Sequence, residues 1–462
     1  MVAFRRVVED ALEKGATYAD VRYQEDRSTS VEVKDGELRK AVPGRERGAS
    51  VRVLYDGTWG LATAPSVDPR GLRRALDEAL GMARALAPRV SERVTLAPTK
   101  AVRDVVRWKP KKDATKIPLE AKRDLLLEAS KAATSVAGIA SAKLALDDEV
   151  VTTRIVTSEG TDVTMEVPRL LLQIDLVARG DHGKVVGYRA RIGGTKGFEA
   201  FDAEDPSEKA GEAAKSALRI LTAKAAPSGR LDVIADPDLA GVFAHEAIGH
   251  ACEADLVIAG ESLLEGRIGE KLGSDLVTIV DDGRVKGGYG SMPYDDEGVK
   301  ASRKVLLENG VLKGYILSRE TAGRLGMKPN GGARAASHAA RPLVRMSNTL
   351  IEKGDRTFEE LLEGVKRGVY AKGTRGGQVD TAKGTFQFGA QEAWLIEDGE
   401  LTTPLRDVAL QGEILETLTT IDAVGKDAML ASPGICGKGQ LVPVGDGGPH
   451  VRIRNAVVGG GA

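Results

Sequence analysis

Residues 231–250, LDVIADPDLAGVFAHEAIGH, decide how the second half of this chain folds and where its chemistry lies. Residues 231–235 are a short apolar run of β type. Asp236-Pro237 then supplies an N-cap and a first-turn proline for a helix over about 237–251. That helix carries His245-Glu246-Ala247-Ile248-Gly249-His250, with its two histidines five residues apart. In the familiar HExxH sequence the spacing is four and both rings share a helix face. At about 100° per residue, a five-residue step leaves the rings about 140° apart on an ideal α-helix. They could not then easily grip one ion. A π-type turn would bring them back together, and Gly249 is where a distortion would be tolerated. The spacing therefore predicts an irregular helix through His250.

His and Cys are scarce, with five and two in 462 residues, so a cluster of them stands out. Catalytic zinc takes three protein ligands and keeps one position open. His245 and His250 leave one ligand to find. Cys436, in SPGICGKG at 432–439, is favoured because flanking glycines let backbone approach closely and a thiolate binds zinc strongly. Cys252, Glu253 and Asp255 compete, since they follow the second histidine directly, although Cys252 also reads as a small buried apolar residue. Glu246, beside a ligand, is the candidate general base for activating water. A fourth ligand from the 252–255 group would instead close the site. That would make the chain a non-catalytic scaffold or partner-binding subunit with structural zinc. His338, Arg345 and Asn348 are candidates for holding substrate. His182 and His450 read as exposed, and Asp295-Asp296-Glu297 reads as a solvated loop rather than a cation site.

Working outward, the chain is expected to be α+β, with an N-terminal α/β domain (1–228) followed by a β-rich catalytic domain (229–462). The stretch KAAPSG at 224–229 marks the boundary. In the first half, helical patterns at about 3–14, 69–86, 118–136 and 206–224 alternate with strand patterns. Asp35-Gly36 and Asp56-Gly57 are hairpin signals. In the second half, Asp282-Gly283, Asn309-Gly310 and Asp398-Gly399 read the same way, with helices at about 318–325, 358–370 and 410–423. Lys plus Arg is 66 and Asp plus Glu is 67, a net charge of −1 with no electrostatic footprint for nucleic acid or anionic membrane. Two cysteines make no disulfide framework, and no apolar run approaches the roughly 20 residues of a membrane span. A cytoplasmic protein is expected.

HEAIGH at 245–250, SPGICGKGQLVPVG at 432–445 and GGARAASHAARPLVRMSN at 331–348 together resemble the TldD/PmbA family of proteases, over essentially the whole chain. The HExxxH motif places the resemblance with the TldD type, because PmbA (TldE) types lack it. The resemblance implies a zinc metallopeptidase with one Zn2+ per chain, held by His245, His250 and Cys436, with Glu246 as base. It implies unstructured peptide substrates bound in extended form in a closed chamber. It also implies a dimer, either a homodimer or a heterodimer with a TldE/PmbA-like subunit. An older label for the family, modulator of DNA gyrase, would suggest nucleic-acid contact, which this charge balance does not support.

Overall fold

The structure, a computed structural model, describes residues 2–460. The first half is a seven-stranded sheet of β1 (Tyr18–Lys34), β2 (Glu37–Tyr55), β3 (Thr58–Ala64), β4 (Arg103–Arg107), β5 (Ile139–Thr157), β6 (Asp162–Arg179) and β7 (Val185–Gly194). Its order is β3-β2-β1-β5-β6-β4, with β7 also on β6. Asp35-Gly36 and Asp56-Gly57 turn the first two hairpins with positive φ at both residues, the geometry that matches strand twist. Alternation sorts the two faces of β1. Val21, Val31 and Val33 point to a core shared with the helices, while Arg22 and Gln24 point the other way. The helices Pro69–Leu86 and Pro206–Thr222 start where Asp68 and Asp205 cap their first free N–H groups.

The second half contains two larger sheets. In one, β8 (Gly229–Ala235) lies between β10 (Arg367–Asp380) and β14 (Val451–Gly460). In the other, β9 (Asn348–Ile351) runs parallel to β13 (Leu441–Gly448), which pairs with the edge strand β12 (Met429–Gly437). A further strand, β11 (Thr385–Glu397), pairs with β10. From β8 the chain passes through Asp236, which caps Leu239, into the helix Pro237–Ala244. This helix packs on the β12–β13 hairpin so closely that a side-chain carbon at Gly241 would collide with the Gly447 backbone.

Several expectations need correction. Asp282-Gly283 is not a tight hairpin. The Asp282 carboxylate accepts from the Arg284 N–H and Nε, and the chain returns to pair only at Arg303–Glu308. The stretch 410–423 is a strand, Val408–Glu413, then a single helix Ile414–Thr419, then a strand Ile421–Val424. The run 295–297 is neither solvated nor a cation site. Asp296 pairs with Arg22 at 2.6 Å, Glu297 with Arg52 at 3.2 Å, and Asp295 accepts backbone N–H groups of Glu297, Val299 and Ala333. These pairs fasten the first half to the second. No helix among the described residues is long and apolar enough to cross a membrane.

Candidate metal centre

The helix that begins at Pro237 changes its hydrogen-bond register at the motif. The His250 N–H donates to the His245 carbonyl, five residues back, so residues His245–Gly249 form a π turn. The expected irregularity is present, and it puts both rings on one side with centroids 5.1 Å apart. Gly249 contributes differently from the expectation. Its backbone is ordinary right-handed helix, but a side chain there would collide with the Met346 sulfur. The glycine is needed for room, not for an unusual φ. After a short 3₁₀ turn, His250–Cys252, the backbone becomes extended at Glu253.

Cys436 comes from β12, whose hairpin with β13 is tucked against this helix. Its Sγ lies 3.3 Å from His245 Nε2 and 3.4 Å from His250 Nε2. The three ligand atoms fall within 4.8 Å of one another, so they could hold one metal ion. In a tetrahedral zinc site, bond lengths near 2.0–2.3 Å make N···S edges of about 3.5 Å, close to the spacing found. The residues present therefore fit the ion. Burial works against a charged thiolate, but hydrogen bonds from both histidines bring Cys436 down to about 5. Burial likewise opposes charge on His250, yet Cys436 and Glu253 raise it to about 9.

Each of the two histidines has a carboxylate at its other nitrogen. His250 Nδ1 donates to Glu253 at 2.8 Å. His245 Nδ1 lies 3.5 Å from Asp446, and both atoms are buried without a hydrogen-bond partner. Such carboxylates orient metal-binding imidazoles. Glu253 is fully buried and also faces Lys438 at 3.2 Å and Arg345 at 3.7 Å. Nothing in the sequence separates Asp446, within a glycine-rich strand, from an ordinary turn aspartate.

Glu246 sits beside this cluster, 3.9 Å from His250 Nε2, and burial raises its pKa. It lines a cavity of about 840 Å³, as do His245, His250, Cys436 and Asp446. β6 and β7 of the first half also line it, through residues that include Asp175, Arg189 and Arg191.

The other candidates lie elsewhere. Arg345, only 1% exposed, donates to the carbonyls of Cys436 at 2.8 Å and Gln440 at 2.7 Å. It clamps the hairpin and does not line the cavity. Asn348 is buried among Gly290, Asp282 and Ser291. His338 lies against Gly48 of β2, 3.7 Å from Glu46, and is not in the cavity lining either. His450 is paired with Asp427 and Tyr370 rather than free in solvent, and the side chain of His182 lies outside the described residues. Neither Cys252 nor Cys436 is in a disulfide.

Residues 228–460 match the PmbA/TldA metallopeptidase C-terminal domain, 19–83 match domain 1, and 112–221 match the central domain. The chain belongs to the PmbA/TldA metallopeptidase family. A Methanothermobacter thermautotrophicus relative named metalloprotease is 45% identical, covering 98% of this chain and 97% of its own. A Saccharolobus solfataricus relative named zinc metalloprotease TldD homolog is 33% identical, covering 98% and 99%. The crystal structure of TldE from Thermococcus kodakarensis shares the fold of this PmbA/TldA member at 21% identity, with a TM-score of 0.80 over 99% of this chain and 100% of that one.

Proposed function

We propose that this chain is a zinc-dependent peptidase of the TldD type that hydrolyses unstructured peptides bound in extended form. The observation that carries the reading is the convergence of His245, His250 and Cys436 at one point of a cavity, with Glu246 beside them. The competing fourth ligands are committed elsewhere. Glu253 is bonded to His250 Nδ1, Asp255 to Lys438 at 2.8 Å, and Cys252 is buried with its thiol pushed far up by burial. That leaves three protein donors and an open side, the arrangement of a catalytic rather than a structural zinc site.

A bound zinc ion would supply Lewis-acid activation of water and of the scissile carbonyl. The chain's own residues do the rest. Glu246 takes the proton of the attacking water and returns it to the leaving amine. Asp446 and Glu253 hold the two imidazoles in the tautomer that leaves Nε2 free to bind. β12 is an edge strand bordering the cavity, so an extended peptide can add to it through backbone hydrogen bonds. Folded proteins offer no such free strand. In this reading, 1–228 is the domain that roofs the site and 229–462 the catalytic domain. The working unit is a dimer, with itself or with a TldE-like subunit.

The test is hydrolysis of unstructured peptides together with metal analysis, for wild type and Glu246→Ala. The variant is expected to keep zinc and to lose turnover by about 10²–10⁴-fold, the usual contribution of a general base. Full activity with zinc retained would remove Glu246 from its role.

A further inference from the structure

The part of the cavity lining that β7 supplies carries a guanidinium that the peptidase reading leaves unused. On β7, Val186, Tyr188, Ala190 and Ile192 turn towards the helices of the first half. By alternation, Gly187, Arg189 and Arg191 turn towards the cavity, where all three appear in the lining. The cationic side chains of that lining differ in how they are satisfied. Arg189 pairs with Asp175 at 2.6 Å, and Gln391 bonds its backbone N–H and carbonyl. Arg375 reaches Asp407 at 3.4 Å. Arg191 makes one long hydrogen bond, from Nη1 to the Pro433 carbonyl at 3.4 Å. Burial and the nearby Arg189 work against its charge, while Asp238, Asp446 and Asp175 favour it. Its guanidinium lines the cavity, and a planar fork of this kind suits a carboxylate best.

We propose that Arg191 is the recognition point for a substrate carboxylate, so that the preferred peptides carry one within the stretch that occupies the cavity. The inference rests on the peptidase reading and narrows its substrate class. The carboxylate comes from an acidic side chain or from the peptide's own C-terminus. Pro433 stands three residues before Cys436 on β12, which puts Arg191 beside the strand that delivers a metal ligand. A carboxylate held there fixes the peptide's register relative to Glu246.

The experiment uses the zinc-loaded protein and a set of unstructured peptides that differ by Gln→Glu at one position at a time. One further pair has a free or an amidated C-terminus. The expected result is that a single Glu position, or the free C-terminus, raises kcat/KM on the order of tenfold over its neutral counterpart. A Glu position identifies a side chain, and the acid–amide pair identifies the terminus. In Arg191→Gln the ratio should fall to near one, and in Arg191→Glu a Lys at the same position should become the better residue. Cleavage of all wild-type peptides without preference overturns this proposal alone. An unchanged ratio in Arg191→Gln, with both rates lowered together, also overturns it and makes Arg191 a counter-charge for Glu246 and Asp446. No cleavage of any peptide by wild type overturns the peptidase reading and this proposal with it.

Discussion

The two imidazoles are held unequally. His250 Nδ1 has a short bond to Glu253, whereas His245 Nδ1 and Asp446 face each other 3.5 Å apart with neither satisfied. Binding at Nε2 would fix the proton on Nδ1 and draw that pair together. Asp446→Asn and Glu253→Gln should therefore each weaken zinc binding by about 10–100-fold, measured by competition with a chelator. The pH dependence follows from the cluster itself. Cys436, at about 5, is already a thiolate near neutrality, whereas His250, at about 9, holds a proton that a metal must displace. His245 is likewise raised, so zinc binding at pH 7 should release protons, and affinity should rise with pH and fall as pH is lowered. A pH-independent affinity between 6 and 9 would contradict that. His245, Glu246, His250 and Cys436 can be picked out of the sequence because His and Cys are so rare in it. Asp446 cannot, and Arg345 looked like a substrate ligand because only the tertiary structure shows the carbonyls it clamps.

Two elements meet at the site, and each depends on a close fit. The motif helix needs Gly241 against Gly447 and Gly249 against Met346. Gly249→Ala overpacks that contact and should cost about 1–3 kcal/mol in thermal or urea unfolding, with Met346→Ala in the same chain recovering part of it. The β12–β13 hairpin is tied by Arg345 to the Cys436 and Gln440 carbonyls, beside buried Glu253. Arg345→Met leaves Glu253 with one partner fewer and should lower both zinc content and stability. Arg345→Lys should restore little, because an ammonium cannot span that set of acceptors. The sequence shows element boundaries well where a capping group marks them. Asp68-Pro69, Asp205-Pro206 and Asp236-Pro237 each start a helix as expected. It misleads where apolar spacing suits a helix but pairing decides otherwise. Leu410, Ile414, Leu418 and Ile421 look helical, yet Leu410 is taken into a ladder opposite Phe388. The helix expected to reach residue 370 stops at Glu363, because Gly364 follows and Arg367 begins β10.

At the scale of the whole molecule, the two halves are joined by buried charge. Arg22 meets Asp296, and Arg52 lies between Asp20 at 2.8 Å and Glu297 at 3.2 Å. Arg319 reaches Glu159 and the Ala97 carbonyl. Breaking one such pair strands the remaining charges. Arg52→Met should cost about 3–5 kcal/mol, read as a shift in urea midpoint with the two halves still unfolding in one step. Two separate transitions in wild type would show that the seam does not couple them. These partners are hundreds of positions apart in sequence, so the run at 295–297 could only be read locally, as a loop.

The same seam has a catalytic meaning. The His245–His250–Cys436 cluster and Glu246 come from the second half and β7 from the first, and both line the cavity. Its width is therefore set by how the halves are bolted together, at Arg22, Arg52 and Arg319 and at the direct bonds from β7 to Gln391 and Pro433. The joint works as a gauge block, in that a small tilt there alters the reach between Arg191 and the reacting bond. Changes at the seam, distant from any ligand, would then register first as a change in which peptides are accepted.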